Sequence, residues 1–286
     1  MNSRRIQPAP SPPPDAPRLG ELRRTILITG ASAGIGAALA RECAGRGYDL
    51  ILTARREGPL RVLAEELAAK HGVVANVVTA DLAEPGAPAR LVEAVNARGL
   101  NVDGLINNAG FSRTTGFLDT DPADHTSMIR VMLTAPVELS RLLLPGMTAR
   151  GWGRVLNVAS LAGQMPATGG DTLYGPIKSF LIKASQGLWL ETQGTGVHVT
   201  ALCPGYTYTE FHDVNGSREQ VSSAYPKWMW MEADRVARIG WDAVEANRPR
   251  VTPGVANNVL AALGGLLPDA LALKMVGGHA KRLDRL

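Results

Sequence analysis

Short apolar segments alternate with amphipathic segments along most of the chain, beginning near Leu22. Six apolar segments lack the polar alternation of a half-exposed strand, so each predicts a strand that is buried on both faces. These strands are expected over 25–29, 49–54, 74–80, 103–109, 154–160 and 197–203, with helices over 34–46, 57–70, 86–98, 122–150 and 173–193. The alternation predicts a single-domain α/β fold, a doubly wound, Rossmann-like parallel sheet with helices on both faces.

The two ends of the chain depart from this pattern. Residues 1–21 are rich in proline and have no apolar pattern, so we expect a flexible tail before a catalytic domain over 22–255. Residues 256–286 form an extension that is apolar at first and basic at its end. We expect this extension to pack as a tail or against a second subunit, with a membrane surface as the alternative.

Composition and charge exclude several classes of protein. The 286 residues are 45% hydrophobic and 20% charged, as in an ordinary folded domain. Residues 1–24 and 274–286 each have a net charge of +3. Because the net charge of the whole chain is +4, residues 25–273 have a net charge of −2. Nucleic acid is therefore not an expected partner. We find no apolar run that could span a membrane and no signal peptide, so a cytoplasmic protein is expected.

Cys43 and Cys203 are the two cysteines of the chain. Their spacing fits neither a metal site nor a redox pair. We expect two small buried thiols and no metal ion.

A glycine-rich loop follows the first predicted strand and begins the first helix. Its sequence TGASAGIG places glycines where a tight turn, a close approach of the backbone to a phosphate, and close helix–strand packing each need one. The position after a buried strand makes a dinucleotide diphosphate the expected ligand. The residues predicted to bind it are Gly30, Ser32, Ala33, Gly34, Ile35 and Gly36.

The second predicted strand ends in Arg55 and Arg56, where dinucleotide sites specific for NAD(H) usually have an acidic side chain. A guanidinium can bind the 2′-phosphate of NADP(H) through paired hydrogen bonds, so Arg55 favours NADP(H) over NAD(H). The alternative is that both arginines are solvated surface residues.

Three further loops lie at the carboxyl ends of predicted strands, where such sheets bind ligands. Asp81 and Leu82 are expected beside the adenine, while Asn108, Ala109 and Gly110 leave room for a ring or a ribose; ordinary turn chemistry is the alternative. After the sixth strand, the predicted cover of the nicotinamide comprises Pro204 and Gly205, with Thr207 or Thr209 donating hydrogen bonds.

The predicted reaction centre consists of Ser160, Tyr174 and Lys178. Tyr174 and Lys178 are four residues apart at the start of a helix and so lie on one face. A cation about 4 Å away would lower the tyrosine pKa from about 10 to near 7, the range suited to proton transfer. Ser160 would stabilise charge on the substrate oxygen. A core tyrosine beside a surface lysine is the alternative.

The ordered set TGASAGIG, AR, DL, NNAG, Ser, YxxxK and PGxxxT resembles the short-chain dehydrogenase/reductase family, over about residues 25–260. The resemblance implies hydride transfer between NADP(H) and a carbonyl or secondary alcohol. It implies that Tyr174 moves the oxygen's proton and that Lys178 also holds the nicotinamide ribose. It also implies a homodimer or homotetramer.

Two positions depart from the family pattern. Met132 stands where many members have an asparagine that helps to hold a relay water, so we expect slower turnover. The spacing from Ser160 to Tyr174 is one residue longer than expected, with Gly169 and Gly170 available to absorb an insertion.

Two functions follow from the sequence. The first is an NADP(H)-dependent carbonyl reductase or alcohol dehydrogenase acting on a small, apolar substrate. The second is a redox-responsive dinucleotide-binding protein without turnover, which Met132 and the altered spacing would permit. The segment 205–232 is expected to form the substrate lid or, alternatively, a core or subunit contact, through Phe211, Tyr225, Trp228, Met229 and Trp230.

Overall fold

A computed structural model describes residues 23–113, 115–167, 171–209, 226–266, 268 and 270–274. Nine strands and eight helices of eight or more residues occur in these ranges. The strands are β1 Thr25–Thr29, β2 Asp49–Thr53, β3 Ala75–Val77, β4 Gly104–Asn107, β5 Gly153–Val158, β6 Val197–Leu202, β7 Thr207–Tyr208, β8 Met231–Glu232 and β9 Arg250–Val251. The helices are α1 Gly34–Gly45, α2 Glu57–His71, α3 Ala87–Asn96, α4 Pro122–Ile129, α5 Ala135–Ala149, α6 Tyr174–Glu191, α7 Ala233–Glu245 and α8 Val255–Leu266.

Seven strands form one parallel sheet in the order β3-β2-β1-β4-β5-β6-β9. The predicted doubly wound fold is confirmed. The sequence predicted only six of these strands, because β9 has two residues and pairs at the sheet edge beside β6. β3 is also shorter than predicted, with three residues in place of seven, because it likewise lies at an edge.

Both faces of the sheet are covered, which explains why its strands lack polar alternation. Ile26 and Ile28 of β1 face one core with α1, α2 and α7, while Leu27 faces a second core with α3, α5 and α6. Every residue of β1 is buried. At about 25 cal/mol per Å² of apolar surface, these two cores are the main favourable contribution to folding.

The predicted long helix over 122–150 is continuous but not uniform. α4 leads through a π-helical turn, Arg130–Thr134, into α5. A π turn inserts an extra residue per turn and often marks a functional position. Met132 lies in this turn.

Several sequence predictions fall outside the described residues. They include the tail 1–21, the glycines Gly169 and Gly170, and the side chains of Phe211 and Tyr225. The described part of the chain has no helix that is long and apolar enough to span a membrane.

Candidate active site

The glycine-rich loop connects β1 to α1 and leaves the start of α1 open. Gly30 and Gly34 have φ of +66° and +56°, a region that residues with a Cβ rarely adopt. Ala33, the residue before the helix, makes no side-chain cap, and the first turn contains no acidic residue. The first amide groups of α1 are therefore capped neither by the preceding residue nor by a carboxylate of the first turn, which favours an anion site at this helix N-terminus.

Backbone segments approach each other closely around this loop. A Cβ on Gly36 would lie 2.2 Å from the Gly30 carbonyl oxygen, and a Cβ on Gly30 would lie 2.8 Å from Cα of Ala109. A Cβ on Gly34 would lie 3.1 Å from Cβ of Thr209. The loops after β1, β4 and β6 therefore meet at one place, as the sequence predicted.

Thr29 joins the first two of these loops, a role that the sequence analysis missed. Its hydroxyl accepts hydrogen bonds from the backbone amides of Asn108 and Ala109, at 3.0 and 3.1 Å. The Asn108 side chain donates to the carbonyls of Thr29 and Gly30, at 3.0 and 3.1 Å. Asn108 thus holds the glycine-rich loop in place through its side chain. The only sequence signal for this contact was a threonine before the first glycine.

Arg55 and Arg56 follow β2 and are both exposed. Arg56 donates from Nη2 to the Ser32 hydroxyl at 3.4 Å, so a guanidinium and a loop hydroxyl meet at the mouth of the predicted phosphate site. Arg55 stands beside this pair in the chain. The structure thus places Arg56 at the predicted Ser32, and the role predicted for Arg55 stays a prediction.

The remaining predicted cofactor residues lie at the same edge of the sheet. Asp81 accepts from the amide of Ala83 at 3.0 Å, which fixes the turn after β3, and Leu82 is buried. The carbonyl of Pro204 accepts from the Leu161 amide at 2.8 Å. The buried Thr207 donates to the Gly205 carbonyl at 3.1 Å, whereas Thr209 lies against Gly34. Of the two threonines, Thr209 is the one beside the glycine-rich loop.

Ser160 and Tyr174 meet across a tight turn. Ser160 follows β5, and its hydroxyl accepts from the Ala162 amide at 3.1 Å, capping a short 3₁₀ helix, Leu161–Gln164. Tyr174 is the first residue of α6, and Ser160 lies close enough to its hydroxyl to lower the phenol pKa. A Cβ on Gly163 would lie 2.6 Å from the backbone carbon of Lys178. Gly163, which the sequence analysis did not single out, lets this turn pack against α6.

Lys178 lies one turn beyond Tyr174 and is almost fully buried, with 4% exposure. Its Nζ donates to the Val158 carbonyl at 2.8 Å and lies 5.6 Å from the ring centre of Tyr174. Burial lowers the pKa of Lys178 to about 8, because desolvation penalises the ammonium form.

The predicted lowering of the Tyr174 pKa is wrong for this structure. Burial raises the pKa of Tyr174 to about 12, the Asp171 carboxylate adds to the increase, and the Ser160 hydrogen bond opposes it. Desolvation of the buried phenol is the largest of these effects. The Lys178 Nζ, which donates to the Val158 carbonyl, lies 5.6 Å from the ring centre. At neutral pH the phenol is therefore protonated.

Met132 packs at the inner side of this centre. A Cβ on Gly110 would lie 3.0 Å from the Met132 sulfur and 3.7 Å from Nζ of Lys178. Met132 is 1% exposed, so an apolar thioether and a buried amine share the space behind Gly110.

An aromatic cluster borders the loop after β6. β7 and β8 pair in parallel, and Trp230 lies between Tyr206 and Tyr208, with ring centres 5.3 and 5.0 Å away. Trp228 and Met229 belong to the same segment, and Trp228 is exposed. The cluster therefore holds the two ends of the predicted lid segment together.

Both cysteines are buried, as predicted. Desolvation raises the pKa of the Cys203 thiol to about 12 and that of Cys43 well above its usual value. Among the described residues, no cluster of three or more His, Cys, Asp or Glu side chains could hold a metal ion.

Comparisons with known proteins match this region. A family model described as short chain dehydrogenase matches residues 24–220. Sulfoacetaldehyde reductase 2 of Chromohalobacter salexigens is 35% identical over 218 residues, which are 75% of this chain and 85% of that protein. The NADP-dependent 3-hydroxy acid dehydrogenase YdfG of Salmonella typhi is 32% identical over 227 residues, covering 76% and 87% of the two chains. A short-chain dehydrogenase from Sphingobium yanoikuyae in complex with NADPH has a TM-score of 0.72 at 31% identity, covering 86% and 97%.

Proposed function

The chain belongs to the short-chain dehydrogenase family, and from that premise we propose that it is an NADP(H)-dependent reductase of aldehydes or ketones. The observation that supports this most strongly is the Ser160–Tyr174–Lys178 arrangement at the edge of the sheet where the glycine-rich loop also lies. The family is one of oxidoreductases. The cofactor form and the substrate class are our proposal.

The residues present fit a nicotinamide dinucleotide. The open start of α1 offers backbone amides to the diphosphate, and Gly30 and Gly34 bring the backbone close to it. Asp81 and Leu82 would border the adenine. The loops of Ala109, Gly110, Pro204 and Gly205 would enclose the nicotinamide half, with Thr209 donating to it and Lys178 holding the ribose.

Arg55 supports NADP(H) over NAD(H). β2 is followed by two arginines, where NAD(H) sites usually have an acidic side chain. The first acidic residue after them, Glu57 at the start of α2, accepts from Arg61. Arg56 and Ser32 already meet at the proposed phosphate position, at 3.4 Å. The relative named as NADP-dependent and the solved structure in complex with NADPH agree with this choice.

When bound, the nicotinamide supplies the hydride that reduces the carbonyl carbon. Tyr174 then has one task, which is to donate its phenolic proton to the carbonyl oxygen as negative charge develops there. Ser160 donates a hydrogen bond to the same oxygen and stabilises that charge. Lys178 keeps a cation behind the phenol and so stabilises the phenolate that remains.

The protonation state of Tyr174 supports reduction as the favoured direction. A phenol with a pKa of about 12 is a proton donor at neutral pH and a poor base. Oxidation of an alcohol requires the phenolate, and its small population at neutral pH would slow that direction. We therefore expect carbonyl reduction to be faster than alcohol oxidation at pH 7.

Apolar side chains around the reaction centre support an apolar substrate. Met165 follows the Ser160 turn, and Tyr206, Tyr208 and Trp230 form the cluster beyond the cofactor loop. A substrate site lined by these side chains would favour ketones and aldehydes with apolar substituents. A cytoplasmic location, a homodimer or homotetramer, and the domain bounds 22–255 and 256–286 stay predictions.

The decisive experiment compares Tyr174→Phe with the unmodified protein, with NADPH and a panel of aldehydes and ketones. We expect NADPH oxidation to fall by at least about a hundredfold, while NADPH binding by calorimetry changes little. Tyr48→Phe is a matched control, since Tyr48 is a buried tyrosine that donates to Glu245 at 3.0 Å, far from Ser160 in the fold. Equal turnover of Tyr174→Phe and the unmodified protein would refute the mechanism.

Met132 favours one alternative, a dinucleotide-binding protein without turnover. Its thioether cannot hydrogen-bond a relay water as an amide can. Tight NADPH binding by the unmodified protein, without turnover of any carbonyl in the panel, would support this alternative over the reductase.

A further inference from the structure

α8 has one packed side and one exposed side. Asn257 and Gly264 lie on the packed side, where Gly205 and Met165 contact them. At 3.6 residues per turn, the four largest exposed side chains fall within about 80° of arc on the opposite side. These side chains, which we call the α8 apolar face, are Val255, Val259, Leu263 and Leu266, with exposures of 83%, 52%, 54% and 79%.

The absence of charge distinguishes this face from the other surface helices. No charged residue occurs between Arg250 and Asp269. By contrast, α7 exposes Asp234, Arg235 and Arg238 on its solvent side. An uncharged surface helix with a continuous apolar stripe is unusual in a protein surrounded only by water, and it indicates a binding surface.

The apolar surface continues at both ends of the helix. Leu271 and Leu273, in the helical residues 270–274, are 49% and 53% exposed. At the other end, the Met231 side chain, three residues after Trp228 in the chain, lies 3.2 Å from the position of a Cβ on Gly254 at the start of α8. Trp228 is 68% exposed. An exposed tryptophan is typical of groups that sit at a lipid headgroup layer.

Cations flank this apolar surface. Lys227 precedes Trp228, and Lys274 follows Leu273; both are exposed. The final residues, 274–286, have four basic and one acidic side chain, a net charge of +3. An anionic lipid surface offers acyl chains to the leucines and phosphates to the lysines, so it complements both the apolar side chains and the cations.

We propose that the α8 apolar face, with Trp228 and the flanking lysines, docks on the surface of an anionic lipid bilayer. The protein lies on the bilayer and does not span it. Because the packed side of α8 contacts Met165 of the Ser160 turn and Gly205 of the cofactor loop, docking would place the reaction centre close to the headgroup layer.

Cosedimentation of the full chain with vesicles tests this proposal. One vesicle preparation is pure phosphatidylcholine, and the other contains equal parts of phosphatidylcholine and phosphatidylglycerol. We expect binding to the anionic vesicles at least about tenfold stronger than to the neutral ones, and weakened by salt. Equal binding to both, or binding to neither, would overturn the proposal.

Two substitutions with the same charge change locate the surface. Leu263→Asp should reduce binding to the anionic vesicles by about tenfold or more. Leu190→Asp is the matched control, because Leu190 is 66% exposed near the end of α6 and precedes β6, at the opposite end of the sheet. It should bind as the unmodified protein does, and equal losses for both variants would contradict the assignment.

Sedimentation velocity without lipid tests whether a second copy of the chain covers the α8 apolar face instead. If Leu263→Asp converts an oligomer into a monomer and the unmodified protein ignores anionic vesicles, the face is a subunit interface and the lipid proposal fails. Circular dichroism and thermal unfolding of each variant establish that it is folded before binding is compared.

Discussion

Met132 and Lys178 meet behind Gly110, where the thioether sulfur and the amine nitrogen lie 3.0 and 3.7 Å from the same Cβ position. The buried amine therefore has an apolar neighbour on one side and the Val158 carbonyl on another. Burial of this kind explains why the pKa of Lys178 is lowered to about 8. A thioether is only a weak hydrogen-bond acceptor, so Met132 offers little hydrogen bonding to this amine.

Met132→Asn is expected to increase the turnover number by roughly threefold to tenfold, with little change in KM for NADPH. The amide can hydrogen-bond a water beside Lys178, and the thioether cannot. The measurement is steady-state reduction of one carbonyl substrate over a range of pH. Met132→Leu, which keeps this position apolar, is the control. Similar turnover numbers for both variants would show that the amide does not increase turnover.

Arg55→Asp is expected to weaken NADPH binding by about ten- to a hundredfold, because it removes a charged hydrogen-bond donor and adds a repelling carboxylate. NADH lacks the 2′-phosphate and should bind nearly as well as before. Calorimetric titration with both dinucleotides measures the difference. Arg141→Asp, at an exposed position of α5 on the other face of the sheet, makes the same charge change as a control. Equal losses for NADPH and NADH would place Arg55 outside the phosphate site.

The lowered pKa of Lys178 predicts a pH dependence of stability. Between pH 8 and 10.5 the unfolded chain binds a proton at this lysine and the folded chain does not, so the free energy of unfolding rises with pH. Compared with Lys178→Met, the unmodified protein should gain up to about 3 kcal/mol over this range. Urea unfolding of both proteins at several pH values measures the gain. A constant difference between the two proteins would mean that the lysine titrates at its ordinary pKa.

Gly163→Ala and Gly187→Ala form a matched pair. A Cβ on Gly163 would meet the backbone of α6 at 2.6 Å, so the substitution should cost about 1–3 kcal/mol and displace Ser160 from Tyr174, lowering turnover. A Cβ on Gly187, inside α6, would meet nothing within 4 Å, so alanine should stabilise the helix by up to about 1 kcal/mol. Denaturant unfolding and activity are the measurements, and equal effects of the two changes would contradict this account.

The sequence was sufficient for the main sheet because its strands are buried on both faces and separated by helices of ordinary length. It failed at the sheet edges. β9 consists of Arg250 and Val251, too short for any periodicity to show, and β3 pairs through only three residues. Edge pairing depends on which segments meet in space, and hydrophobic pattern does not encode that.

The candidate site was also predictable only in part. The order of the motifs predicted that Ser160, Tyr174 and the glycine-rich loop lie at one edge of the sheet. The direction of the Tyr174 pKa shift was not predictable, because it depends on how deeply the phenol is buried in the packed structure. The role of Gly163 was equally hidden among 31 glycines, since only the packed structure reveals which of them has backbone beside it.

The burial of both native thiols has a practical consequence for spectroscopy. Cys43 and Cys203 have no exposed surface, and their raised pKa values keep them in the unreactive thiol form at neutral pH. A single cysteine introduced at an exposed position, for example Val259→Cys, would therefore be the one reactive attachment point for a fluorescent label. Its emission would report directly on the polarity around that position, in an otherwise native chain.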